Sequence, residues 1–158
     1  MVANQRLGGT VDEESIRIEA APDLVWALLA DVTRMPEWSP NLRRCAWRGA
    51  ERRAVPGARF TGFNRLGPLT VPMPNVVERA EPAQEFSFRT GLHNTLWRYV
   101  LSTDGAGTVV TEQRDTSATR HWLMRPMYGI AGGREKFAES FREGMRETLR
   151  GLKAAAER

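Results

Sequence analysis

The stretch REKFAESFREGMRETLRGLKAAA, residues 134–156, decides the fold. Phe137, Phe141, Met145, Leu149 and Leu152 recur every three or four residues and make one apolar stripe. The remaining positions are charged or small. Glu139/Arg142, Glu143/Arg146 and Glu147/Arg150 stand three apart, a spacing that adds about 0.2–0.5 kcal/mol per pair on a helix surface. A helix with one apolar face draws most of its stability from whatever that face lies on. Something upstream has to supply the surface.

The upstream sequence supplies strands. Residues 42–49, 59–64, 70–80, 85–90, 95–103 and 108–115 are strand-sized pieces separated by turn residues. Phe86 and Phe88 share one face, as do Trp97, Tyr99 and Leu101. Asp104-Gly105-Ala106-Gly107 reads as a tight turn. The short separations fit a meander of antiparallel hairpins and leave no room for crossover helices between parallel strands. Pro72 and Pro74 argue for an edge position or a bulge in the 70–80 strand.

Residues 15–19 alternate around Ile16 and Ile18 and form the first strand. Pro22 and Asp23 open a helix carrying Val25, Trp26, Leu28, Leu29 and Val32, since proline and a carboxylate both suit a first helical turn. A second short helix covers 33–38. Residues 117–133 combine Trp122, Leu123, Met124, Met127 and Tyr128 with Pro126 and three glycines, and read as a short helix followed by a connector. The expected domain is residues 14–156, preceded by a flexible arm at 1–13. The class is α+β: a curved sheet of six or seven antiparallel strands around a long C-terminal helix, with two short helices after the first strand.

Composition narrows the function. With 158 residues, 41% apolar and 27% charged, the chain suits one globular domain. No apolar run reaches bilayer length, and the first ten residues lack the apolar core of a signal peptide. Cys45 is the sole cysteine, which fits a reducing, cytoplasmic setting. With one cysteine and two histidines, His93 and His121, no metal site is expected, and no cofactor motif is present. Arg43, Arg44, Arg48, Arg52, Arg53, Arg59 and Arg65 form a basic run without any nucleic-acid motif, so a solvated outer face is the reading and no nucleic-acid partner is expected.

A bent sheet and a straight helix cannot stay in contact along their whole length. The space between them predicts an apolar cavity with few polar anchors. Its candidate wall is Trp26, Trp38, Phe63, Phe88, Trp97, Tyr99, Trp122, Met124, Met127, Phe137, Phe141 and Met145. Such residues also make the core of any domain this size, although tryptophan is seldom fully buried. Strand alternation puts Asn64 on the face of Phe60 and Gly62, and Glu112 on the face of Thr108 and Val110. If that face is concave, Glu112 is buried and needs a partner, either Arg114 or Tyr99. Glu112 then reads as a ligand anchor, as a general acid–base, or as part of a structural hydrogen-bond cluster.

The order of elements resembles the START-like superfamily, which includes polyketide cyclases, plant Bet v 1-type allergens and coenzyme Q-binding proteins. The resemblance is carried by Ile16-Arg17-Ile18-Glu19-Ala20-Ala21-Pro22-Asp23-Leu24-Val25-Trp26 and by Met35-Pro36-Glu37-Trp38-Ser39-Pro40. It continues through Pro56-Gly57-Ala58-Arg59-Phe60 with Gly62 and Asn64, through Trp97-Arg98-Tyr99, and through Gly107-Thr108-Val109-Val110-Thr111-Glu112. It covers residues 14–152 and is nearest to the bacterial polyketide cyclase/dehydrase-like branch. Pro72-Met73-Pro74 departs from the family strand at that point. The resemblance implies a helix-grip fold around a hydrophobic tunnel and a lipid, polyketide or aromatic ligand. It also places the Glu112 pattern inward. It implies chemistry only in some members, as in a cyclase or dehydratase using a cavity carboxylate, and it transfers no catalytic residue. Stable membrane insertion is not expected, and the chain is expected to be a monomer or homodimer.

Overall fold

The structure is a computed structural model that describes residues 11–158; residues 1–10 of the expected arm lie outside it. Seven strands form one antiparallel sheet. They are β1 (Val11–Ile18), β2 (Leu42–Arg48), β3 (Arg59–Leu66), β4 (Leu69–Glu81), β5 (Glu85–Thr90), β6 (Thr95–Asp104) and β7 (Gly107–Asp115). Their order across the sheet is β1-β7-β6-β5-β4-β3-β2. Strands β2 to β7 are therefore the predicted meander, and β1 closes the far edge against β7. Between β1 and β2 the chain crosses one end of the sheet through α1 (Pro22–Ala30) and a 3-10 turn (Val32–Glu37). The turn starts on Asp31, whose Oδ1 accepts from the Thr33 amide at 3.1 Å. After β7 come α2 (His121–Ile130) and α3 (Arg134–Ala156). This is the α+β helix-grip architecture.

Two expectations need adjusting. β1 begins at Val11, not near Ser15, and Val11 to Glu14 pair with Asp115 to Glu112. Val-Asp-Glu-Glu carries no apolar contrast between its faces, so alternation could not reveal a strand there. The edge expectation needs narrowing: β4 as a whole lies between β3 and β5, but its front segment has β3 as its sole ladder partner, and the expected bulge falls at Val77/Arg79. β4 tolerates Pro72 and Pro74 because β5 first pairs at Asn75. The Pro74 carbonyl accepts from the Gly91 amide at 2.7 Å on the side away from β3. The ring nitrogens of both prolines face that same side, where no ladder bond is lost.

The sheet bends at register shifts between Leu42 and Arg44 in β2 and between Val77 and Arg79 in β4. The bend makes two different ends. At one, α1, the 3-10 turn and the second half of α3 pack solidly on the sheet through Ile18, Val25, Leu29, Val32, Phe86, Val110, Leu149 and Leu152, all buried. The crossing is tight at Gly151: a Cβ there would lie 2.2 Å from the Trp38 carbonyl oxygen. At the other end, the first half of α3 stands off the sheet and α2 lies beside it.

Candidate functional site: a half-lined cavity

The gap at the open end is a cavity of about 420 Å³ between the concave sheet face, α2 and the first half of α3. Alternation supplies its wall. β3 contributes Phe60, Gly62 and Asn64; β5, Phe88 and Thr90; β6, Trp97 and Tyr99; and β7, Glu112 and Arg114. α3 contributes Phe137, Phe141 and Met145 at helical spacing, and α2 contributes Met124, Met127 and Tyr128. Of the twelve residues predicted for the site, ten are brought together here: Asn64, Phe88, Trp97, Tyr99, Glu112, Arg114, Met127, Phe137, Phe141 and Met145.

Three aromatic residues expected in the wall stand elsewhere. Trp26 packs edge-on against Phe86 at 6.3 Å, in the solid end, because its position on α1 faces the core. Trp122 is 68% exposed on the outer side of α2. Its apolar neighbours on that helix lie on both sides, so composition alone did not distinguish inside from outside. Phe63 points to the opposite sheet face, where the guanidinium groups of Arg44 and Arg48 cover its ring at 5.0 and 5.8 Å. That contact accounts for part of the basic run as a solvated outer face.

The polar centre is built on the β6–β7 ladder. Tyr99 pairs with Glu112 in register, and its hydroxyl donates to Glu112 Oε1 at 2.8 Å. Glu112 is 2% exposed. Burial pushes its carboxyl up to about 8, the Tyr99 hydrogen bond pulls in the opposite direction, and the nearby Glu14 carboxylate adds to the rise. Burial also raises Tyr99 well above its ordinary range, and Glu112 reinforces this, so the phenol stays the donor. At pH 7 Glu112 is therefore mainly a neutral carboxylic acid.

Arg114 does not reach for Glu112. The β1–β7 register sets Asp12 opposite Arg114 and Glu14 opposite Glu112. Arg114 accordingly donates to Asp12 Oδ2 at 3.0 Å, and Arg142 of α3 donates to Asp12 Oδ1 at 3.2 Å. The Arg114 guanidinium lies 4.2 Å from the centre of the Phe141 ring, which packs on Trp97 at 5.9 Å. Asp12 is the site residue that sequence reading missed. Its role depends on which residue of a distant strand faces it, and no local pattern carries that information. His93 also borders the cavity, and burial lowers its pKa, with the Arg114 charge adding to the effect.

Three buried polar atoms of this wall make no hydrogen bond within the described protein: Glu112 Oε2, Trp38 Nε1 and Arg114 Nε. A buried polar atom without a partner costs about 1–3 kcal/mol, and here three border one cavity. The site thus has a largely apolar body in which Glu112, Trp38 and Arg114 carry unpartnered polar atoms, with Tyr99, Asn64, Asn75, Thr90 and His93 as further polar residues of the wall. Cys45 borders it too, but burial pushes its thiol up to about 12, which makes it a poor nucleophile.

Comparison with known proteins agrees with this architecture. A solution structure of a polyketide-cyclase-like protein from Corynebacterium glutamicum is 29% identical, with a TM-score of 0.56, and the match covers 94% of this chain and 90% of that one. A protein from Chromobacterium violaceum matches at a TM-score of 0.67 and 12% identity, covering 95% of this chain and 99% of that one. The di-domain ARO/CYC protein StfQ of the steffimycin biosynthetic pathway matches at a TM-score of 0.73 and 16% identity. That match covers 94% of this chain and 50% of the di-domain protein. No curated protein matches in sequence. The family model described as polyketide cyclase/dehydrase and lipid transport spans residues 12–157, from the Asp12 partner of Arg114 to the end of α3, and the chain belongs to that family.

Proposed function

We propose that the chain binds a largely apolar small molecule, a lipid, polyketide or aromatic compound, with Glu112 as its main polar anchor. The observation that carries this reading is the unsatisfied Glu112 Oε2 in the wall of a largely apolar cavity. With Oε1 taken by Tyr99, the neutral acid can donate from Oε2 to a ligand carbonyl or hydroxyl oxygen. The Trp38 indole N–H is a second donor in the same wall. Cavities that hold small ligands commonly measure about 300–1,000 Å³, and this one falls in that range.

A second reading has one specific observation behind it. A carboxyl near 8 can give up and regain a proton close to neutral pH, which suits a general acid–base in a cyclisation or dehydration. The solved ARO/CYC proteins StfQ and BexL share the fold, at 16% identity each. In such a step Glu112 would protonate a departing hydroxyl, which leaves as water, and then recover a proton from the adjacent carbon.

The test of the first reading is titration of the protein with a fluorescent apolar probe, with native mass spectrometry of the purified protein to detect a retained ligand. Glu112→Leu keeps similar bulk and removes both the donor and the acceptor, whereas the amide of Glu112→Gln could still donate to a ligand carbonyl. Glu112→Leu should weaken carbonyl-bearing ligands about tenfold and leave a pure hydrocarbon probe unaffected. Equal loss for both probes, or no probe binding at all, would overturn the anchor role.

A further inference from the structure

We infer that the rim of the cavity mouth is a docking face for an anionic lipid bilayer. The rim comes from three separate pieces of chain that meet at the open end. The β3–β4 hairpin borders the cavity through Arg65 and Leu66 at its turn, and further along β4 the Pro74 carbonyl accepts from the Gly91 amide of the β5–β6 turn. The β5–β6 turn is tied to the start of α2, where the Arg120 amide donates to the His93 carbonyl at 2.7 Å and its guanidinium to the Leu92 carbonyl at 2.8 Å. Arg65 and Leu66 border the cavity and are also exposed, so the cavity reaches the surface at this rim.

Two properties set this rim apart. First, it displays large apolar side chains at its tips: Leu66 and Leu69 on one turn, Leu92 (75% exposed) on the next, and Trp122 and Ile130 (81% exposed) on the outer side of α2. None of the residues of α2 is buried, although the helix carries apolar groups on both sides. Second, residues 52–77, 86–103 and 116–134 contain no Asp or Glu. Arg65, Arg120, Arg125 and Arg134 are all exposed within them. The first carboxylate beyond α2, Glu135, stands between Arg134 and Lys136. A chain with 19 acidic residues has kept them off the three segments that frame the opening.

Cationic side chains interleaved with tryptophan and aliphatic tips match the chemistry of a bilayer interface, with anionic headgroups outside and acyl chains a few ångströms below. An acidic protein surface would satisfy the arginines but would leave five dispersed apolar tips without a use. Docking is peripheral, since no helix among the described residues is long and apolar enough to cross a membrane. The inference rests on the reading of the cavity as an apolar-ligand site and takes its lipid branch, because a lipid drawn from a bilayer would pass directly through the mouth.

The experiment is co-sedimentation of the full chain with vesicles of phosphatidylcholine alone and of phosphatidylcholine with phosphatidylglycerol. Two exposed-site variants, the paired Trp122→Ser/Ile130→Ser and Arg125→Glu, are run beside it. Binding to the anionic vesicles and little to the neutral ones is expected, with a loss of about tenfold for Arg125→Glu and a comparable loss for the paired Trp122→Ser/Ile130→Ser change. Thermal melting checks that each variant is folded. No sedimentation with anionic vesicles overturns the inference. So does sedimentation sensitive to Arg125→Glu but indifferent to Trp122→Ser/Ile130→Ser, which would mark a purely electrostatic surface suited to an acidic protein. Probe binding in vesicle-free solution is measured separately, so failure of the docking face and failure of the cavity reading are told apart.

Discussion

The Tyr99 hydroxyl and the Glu112 carboxyl form a buried pair at 2.8 Å in which the phenol is the donor and one carboxyl oxygen is left over. The folded carboxyl holds its proton up to about 8, whereas its ordinary value is 4.5. Between those values the folded state binds a proton that the unfolded chain has released. Stability therefore falls as pH rises through this window and levels off above it. The wild-type loss is on the order of 4 kcal/mol. Glu112→Gln lacks a titrating group and should lose this slope. Urea unfolding at pH 5, 7 and 9 compares the two proteins, and parallel pH profiles would refute the buried neutral acid.

Tyr99→Phe removes the one interaction that draws the Glu112 proton off more easily. The upper end of the falling window should move to higher pH, and stability at pH 6 should drop by about 1–3 kcal/mol for the unpaired carboxyl. The same unfolding series reads both effects. A merely steric role for the ring would lower stability equally at every pH and leave the window in place.

The two ends of the molecule should answer differently to the same truncation. Phe86 is fully buried in the solid end against Trp26, and Phe86→Ala should cost about 3–5 kcal/mol. Phe141 borders the cavity with Arg114 over its ring, and Phe141→Ala should cost roughly half as much, because much of the removed ring faced space already. Denaturant midpoints of the two variants decide it; equal costs would mean that the open end is packed as tightly as the closed one.

Two glycines on α3 test where the helix is clamped. In an exposed helix, glycine to alanine gains about 1 kcal/mol. At Gly151 the new Cβ would meet the Trp38 carbonyl oxygen at 2.2 Å, backbone that cannot give way, so Gly151→Ala should instead lose about 1–3 kcal/mol. At Gly144 the nearest atom is Asn41 Nδ2 at 3.2 Å, the far end of a side chain, and Gly144→Ala should be neutral or stabilising. Melting temperatures that move in the same direction for both would contradict the clamp at Trp38.

Much of this was readable in advance because it depends on local periodicity. The stripe from Phe137 to Leu152 requires a sheet beneath it, and strand alternation sets Trp97, Tyr99 and Leu101 on one face. Alternation puts Glu112 on one face with Thr108 and Val110, and the family resemblance, not the alternation, implies that this face is the inner one. What escaped depends on distant registers or on helices without contrast. Asp12 is opposite Arg114 only because β1 pairs with β7 where it does. The 10-residue α2 carries Trp122 and Ile130 on one side and Met124 and Met127 on the other, so no periodicity could say which side meets the cavity.

The forward overhang of β4 has a consequence for how copies of this chain behave toward one another. Ahead of Asn75 it has no ladder partner in β5, and past the Pro74 carbonyl, which the Gly91 amide holds, one side of its backbone is a potential template for a foreign strand. Pro72 and Pro74 occupy the positions whose amides would point outward there, and an approaching strand finds no N–H to accept from at either. The overhang extends the cavity wall through Val71 and Met73. Converting both prolines to valine would restore the two donors, and light scattering should then show concentration-dependent self-association that the native chain lacks; a variant as dispersed as wild type would show that the prolines serve geometry alone.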